Sequence, residues 1–157
     1  MDEIDPVNIF DENAIAYDKY RPGYPPQSLD DLFILGFLNP RNTVLEIGCG
    51  TGQLTVDLLK KELHVVALEK GARLAEIAVK NISGFSSCQV INNSFENWET
   101  DRKFNMIISA QAFHWIEMVS GIEKSLNLLT ENGSIALIWN LDISQNTAFW
   151  KLNCPLY

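Results

Sequence analysis

From residue 43 onward, short apolar runs alternate with stretches in which apolar residues recur every three or four positions. The runs suit strands covered on both faces, which read as near-continuous Val, Ile and Leu. The stretches between them suit helices with one apolar stripe. The strand candidates are Thr43–Ile47, His64–Glu69, Cys88–Asn92, Phe104–Ala110 and 134–140. Between them, one helix carries Leu54, Leu58 and Leu59, a second spans Ala72–Asn81, and a third covers 117–129, with Asn132-Gly133 as the turn out of it. Upstream, the pattern predicts a helix over 11–20, capped by Asp11 and broken by Arg21-Pro-Gly-Tyr-Pro-Pro. Pro26 suits a first helical turn, and Leu29, Leu32, Phe33 and Phe37 would share one helical face. Strands alternating with helices imply right-handed crossovers and an α/β fold, a doubly wound, mainly parallel sheet with helices on both faces.

Length and composition narrow this to a single domain. The chain has 157 residues, 46% apolar and 20% charged, which is ordinary for a globular protein. We divide it into an N-terminal helical cap (1–40), a core (41–140) and the start of a C-terminal part (141–157). The net charge of −8, with no cluster of Lys and Arg, argues against a nucleic-acid partner, because phosphate neutralisation needs clustered cations. The longest apolar stretch, near Phe33 to Leu38, is far too short to span a bilayer, so no membrane partner is expected. Cys49, Cys88 and Cys154 are an odd, sparse set without metal spacing, and the acidic start MDEIDPVNIF does not read as a signal peptide. Both points suggest a reducing, cytoplasmic setting and no bound metal. Nothing in the pattern specifies an oligomeric state.

The strongest chemical signal joins the first strand to its helix: Val44-Leu-Glu-Ile-Gly-Cys-Gly-Thr-Gly-Gln-Leu-Thr55. Glycine lets backbone turn sharply and come close to a ligand. In an open parallel sheet, ligands bind beyond the carboxyl ends of the strands, where the strand order switches. A dinucleotide fingerprint needs G-x-G-x-x-G, but Gln53 and Thr55 occupy the final glycine positions of the two possible registers. No Gly-Lys-Ser/Thr follows, so the turn is not a P-loop either. What remains is Glu46-x-Gly48-x-Gly50-x-Gly52.

That arrangement resembles motif I of class I S-adenosylmethionine-dependent methyltransferases of the small-molecule type, similar to the ubiquinone and trans-aconitate enzymes. The resemblance implies S-adenosylmethionine as cofactor. Gly48, Cys49, Gly50 and Gly52 would pack against its methionine and ribose, and Glu46 would orient it. Glu69, ending the second strand 21 residues after Gly48, stands at the ribose-binding acid, with Lys70 beside it. After the third strand, Ser94 replaces the Asp that often meets the adenine amino group, and the Phe95 amide would face the ring. Trp98 reads as a packing residue. The segment Phe104-Asn-Met-Ile-Ile-Ser-Ala-Gln-Ala-Phe-His-Trp115 resembles the family's fourth-strand segment, with Asn105 in place of the usual Asp. Ser109, Ala110 and Gln111 would then lie against the methionine part. Tyr17 and Arg21, in Tyr17-Asp-Lys-Tyr-Arg-Pro, match an N-terminal element that covers the cofactor; an Arg fork suits a carboxylate.

The implied reaction is in-line transfer of the sulfonium methyl to a small-molecule acceptor, in which the protein mainly positions the two reactants. Where the acceptor must lose a proton, His114 is the candidate general base. The family sheet continues for two more strands, whereas this chain ends 17 residues after Asn140, so the fold is expected to look truncated after an exposed fifth strand. Two alternatives stand beside this reading. One is a cofactor-binding or scaffold domain without turnover. The other is an NAD-dependent oxidoreductase, which the failed glycine registers disfavour.

Overall fold

The structure is a computed structural model that describes residues 6–140. The segment 141–157, with Cys154 and the expected start of a C-terminal part, lies outside the described residues. Three helices come first: α1 (Pro6–Glu12), α2 (Ala14–Tyr20) and α3 (Pro26–Ile34). Strands and helices then alternate as β1 (Thr43–Ile47), α4 (Gln53–Lys60), β2 (His64–Glu69), α5 (Ala72–Asn81), β3 (Cys88–Asn92), β4 (Phe104–Ala110), α6 (Met118–Leu128) and β5 (Leu129–Ile138), with a short 3₁₀ turn at Phe113–Trp115. The strand order is β3-β2-β1-β4-β5, and every pairing is parallel.

Alternate residues of the central strands feed two cores. Val44, Val65, Met106 and Ile108 pack with Leu54 and Leu58 of α4, Ala78 of α5 and Leu29 of α3. Leu45, Ile47, Val66, Leu68 and Ile107 face the other way, towards Phe95, Trp98, Phe113 and Leu128. With both faces covered, a strand has no polar side, which explains the continuous apolar runs. The chain moves outward from β1 to β3, then returns to place β4 on the other side of β1. That reversal leaves a crevice at the carboxyl ends of β1 and β4, the place where doubly wound sheets take ligands.

Several local expectations are corrected. The helix expected over 11–20 divides at Asn13, whose side-chain amide donates to Ile9 O at 2.9 Å. Asp11 does not cap that helix. It lies inside α1, and its carboxylate accepts the amides of Arg73 and Leu74 at the start of α5. Phe37 lies beyond the end of α3 and is exposed, while Leu29 carries the buried face of that helix. Asn132-Gly133 is not a turn before the fifth strand but a bulge within it. Phe104 pairs with Leu129 while Met106 pairs with Ser134, so β5 holds extra residues there. A Cβ at Gly133 would sit 3.0 Å from Phe104 O, so the close return of the bulge excludes a side chain. Glu117 caps α6 by accepting the Val119 and Ser120 amides at 3.0 and 2.8 Å.

Candidate cofactor site

A cavity of about 300 Å³ opens at the carboxyl ends of β1 and β2. Its floor is Ile47, Gly48 and Gly50 from the glycine turn, with Leu68, Glu69 and Lys70 from the end of β2. One wall is Asn93–Glu96, after β3. The opposite wall is Ala112, Trp115 and Ile116, after β4. Phe10 and Tyr17 reach it from α1 and α2, and Leu74 from α5.

The turn needs its glycines for two different reasons. Gly48, Gly50 and Gly52 have φ of 71°, 59° and 89°, in the left-handed region that side chains disfavour. Space is short as well: a Cβ on Gly48 would lie 2.4 Å from the Ala112 Cβ, and one on Gly50 would lie 3.3 Å from the Tyr17 ring. The Gly48 and Cys49 amides both donate to Leu68 O, at 2.9 and 3.0 Å, which ties the turn to β2.

Glu69 is the centre of the floor. Its Oε2 accepts the Gly50 amide and its Oε1 accepts the Gly71 amide, each at 2.8 Å. Burial raises its carboxyl above the usual range, and those two amides pull in the other direction. Asn92 braces the site from the paired position on β3: its side-chain amide donates to Glu69 O at 2.8 Å and to Lys70 O at 3.0 Å. The wall after β3 is held from behind. Lys124 of α6 donates to Glu96 O at 3.0 Å and Trp98 O at 2.6 Å, and lies 5.3 Å from the Phe95 ring centroid. Ser94 Oγ accepts the Asn97 amide at 3.3 Å, and Phe95 is buried.

The remaining expected site residues are placed elsewhere. Glu46 points beneath the turn rather than into the cavity. It is fully buried, and accepts a hydrogen bond from Thr55 Oγ1 at 2.6 Å. Burial pushes its carboxyl up to about 7 against the pull of that hydroxyl. Cys49 is buried and Gly52 precedes α4, both behind the cavity floor. Arg21 stacks on the Tyr17 ring, 5.3 Å from its centroid, and so touches the cavity only through Tyr17. Burial raises the Tyr17 hydroxyl, with Arg21 opposing. Ser109 donates to Ile47 O at 2.9 Å, and Ala110 is buried in the sheet. Gln111 adopts φ 57° and is fixed by its amide to Ile138 O and by Nε2 to Asn140 O. His114 is exposed beside the cavity wall, its ring 4.6 Å from that of Trp115, and Trp139 Nε1 donates to its Nδ1 at 3.5 Å.

Residues 44–133, more than half of the chain, match the family described as methyltransferase domain. The chain belongs to that family. An uncharacterized methyltransferase of Mycobacterium tuberculosis (strain ATCC 25618 / H37Rv) is 28% identical to this domain over 125 residues, covering 80% of this chain and 49% of its own length. A putative S-adenosyl-L-methionine-dependent methyltransferase from Methanococcus maripaludis superposes with a TM-score of 0.67 at 21% identity, over 95% of this chain and 74% of that one. A SAM-dependent methyltransferase from Thiobacillus denitrificans, solved with S-adenosyl-L-homocysteine, gives 0.66 at 19% identity, over 87% and 56%. These structures share the fold. The chain spans about half the length of the curated relatives it matches.

The methyltransferase domain builds part of its cavity from residues that no motif marks. Phe10 carried no such signal, since it lies in α1 and the break at Asn13 separates it from Tyr17 in α2. The two rings meet edge-on at 5.6 Å. Ala112 and Trp115 belong to the segment that resembles the family's fourth strand, but their approach to the cavity, with that of Ile116, runs through the 3₁₀ turn, which apolar periodicity does not reveal. Asn92 and Lys124 act on backbone carbonyls distant in sequence, so no local pattern marks them.

Proposed function

We propose that this methyltransferase domain holds S-adenosylmethionine in the cavity and directs its methyl group to a small-molecule acceptor. The observation that carries this is the joining of Glu69 to the glycine turn through the Gly50 amide, at the carboxyl ends of β1 and β2. A carboxylate has about four acceptor sites; the Gly50 and Gly71 amides take one on each oxygen of Glu69, and the Lys70 backbone adds a further contact. Capacity is left for ribose hydroxyls. Gly48 and Gly50 keep the floor free of side chains, with Ala112 as the opposing surface. The Phe95 amide and Ser94 suit an adenine edge, with Leu68 and Leu74 as apolar cover and Lys70 at the rim. The Thiobacillus denitrificans relative, with this fold, was solved with the demethylated cofactor.

The cofactor supplies an activated sulfonium methyl, so the protein's task is placement and exclusion of water. Phe10, Tyr17 and Trp115 close over the cavity and serve that task. His114 is the base we assign where the acceptor must lose a proton. Its Nδ1 faces Trp139 Nε1 at 3.5 Å. The net charge of −8 and the lack of a basic stripe favour a small acceptor over nucleic acid. No helix among the described residues is long and apolar enough to cross a membrane, and Cys49 and Cys88 are free thiols, which fits our assignment to the cytoplasm.

Titration calorimetry with S-adenosylmethionine, S-adenosylhomocysteine and NAD tests the reading. Saturable binding of the first two and none of NAD is expected. Binding of NAD alone, or of none, would overturn it. Binding without methyl transfer across an acceptor panel would reduce the domain to a non-catalytic binding module.

A further inference from the structure

α5 begins at a residue that cannot cap it. Gly71 occupies the N-cap position with no side chain, so the first-turn amides need an acceptor from elsewhere. Asp11 supplies it from α1, 62 residues away: its Oδ1 accepts the Arg73 amide at 2.8 Å and the Leu74 amide at 3.0 Å. Gly71 has φ −73°, which any residue adopts, so its backbone does not require glycine. Space does. A Cβ at Gly71 would lie 2.7 Å from that same Asp11 oxygen. The bare cap and the distant carboxylate therefore fit together as one joint.

The joint sits beside the cavity. Phe10, adjacent to Asp11, and Leu74, which donates to it, both line the wall. Further along, Asn81 at the other end of α5 donates to Asp18 Oδ1 at 2.9 Å, next to Tyr17. The pair α1–α2 is thus a strap clasped at both ends of α5, with two aromatic rings on its cavity side.

We infer that Asp11 is a positioning residue: by hydrogen-bonding the N-terminus of α5 it latches the α1–α2 strap and holds Phe10 and Tyr17 over the cofactor. This rests on the cavity being the methyl-donor site. An unlatched strap leaves only a fraction of molecules competent to bind, and the apparent dissociation constant rises by the inverse of that fraction. Losing an N-cap acceptor of this kind changes such an equilibrium by roughly tenfold.

The test uses the full chain as wild type, Asp11→Ala, Asp11→Asn and the double variant Asp11→Ala/Gly71→Ser. Serine at position 71 caps α5 locally but cannot hold the strap. Affinity for S-adenosylhomocysteine, melting temperature and the rate of trypsin cleavage after Lys19, at the end of α2, are measured on each. Asp11→Ala should weaken binding about tenfold and speed cleavage by a similar factor. Asp11→Asn, which keeps the accepting oxygen, should stay close to wild type. The double variant should regain melting temperature while affinity and cleavage remain those of Asp11→Ala. Recovery of affinity and protection along with stability would overturn the latch, since capping alone would then explain Asp11. An Asn variant as weak as Ala would overturn it too, because charge rather than the hydrogen bond would be the agent. Failure of wild type to bind S-adenosylhomocysteine would instead sink the proposed function, and ligand-free cleavage after Lys19 would still decide the latch.

Discussion

Glu46 offers a sharp separation of structural from ligand-binding roles. The carboxyl is fully buried under the glycine turn and has Thr55 Oγ1 as its hydrogen-bond donor. It ionises at about 7 rather than at an ordinary 4.5, chiefly because burial penalises its charge. The folded protein therefore holds this proton more tightly than the unfolded chain. The sign follows from linkage: this contribution to stability is complete below about pH 4.5 and is lost as pH rises to about 7. A gap of about 2.5 pH units corresponds to about 3 kcal/mol. Glu46→Gln keeps an oxygen for Thr55 and never ionises. After allowing for burial of its amide hydrogens, we expect it to be about 2 kcal/mol more stable than wild type at pH 8. Near pH 4.5 the Gln variant should be the less stable by about 1 kcal/mol, the cost of its amide hydrogens, and the two curves should cross between about pH 5 and 6. Urea unfolding followed by circular dichroism between these pH values reads the difference directly. Because the side chain faces Thr55 and not the cavity, affinity for S-adenosylhomocysteine should be unchanged. Parallel pH profiles for the two proteins, or a Gln variant less stable at pH 8, would refute the burial argument. A large loss of affinity would return Glu46 to the ligand.

Other substitutions probe the cavity itself. Glu69→Ala should weaken the cofactor and also cost about 2–4 kcal/mol of stability, since the Gly50 and Gly71 amides both lose a charged acceptor; calorimetry and melting together check this, and unchanged affinity would remove Glu69 from the site. Gly50→Val should abolish cofactor binding, because it forces a branched side chain into left-handed backbone against Tyr17; a folded variant with normal affinity would contradict that placement. Lys124→Met removes the donor to Glu96 O and Trp98 O together with the charge over the Phe95 ring. It should loosen the wall after β3 and lower affinity severalfold, with hydrogen exchange rising at 94–98 as the direct readout.

The sheet was legible because its strands obey a local rule. Thr43–Ile47, His64–Glu69, Cys88–Asn92 and Phe104–Ala110 are short apolar runs bounded by polar residues, and they end where the pattern ends. The glycine turn and Glu69 were legible for a similar reason, since a strand, a turn and a strand end have fixed relations in a doubly wound sheet. Tertiary partners were not. Asn13 breaks a periodic stretch by bonding Ile9 O, and Asp11 left its expected cap for amides 62 and 63 residues away. Gly133 looked like a turn residue because a bulge and a turn make the same demand for a missing side chain. The division between Glu46 and Glu69 was also hidden. Both are acids near the same turn, but alternation along β1 sends Glu46 to the α4 side, where Thr55 meets it.

Cys49 lies within the glycine turn, 5% exposed, and burial with the nearby acids Glu46 and Glu69 holds its thiol well above the ordinary range. A sulfur sealed in this way cannot be alkylated while the turn stays shut. Its reaction with a neutral maleimide therefore runs only through transient opening, and the rate becomes a clock for local breathing of the binding loop. The protein thus carries its own reporter at the place where ligand and backbone meet. Occupancy of the cavity should slow that clock, read at Cys49 itself.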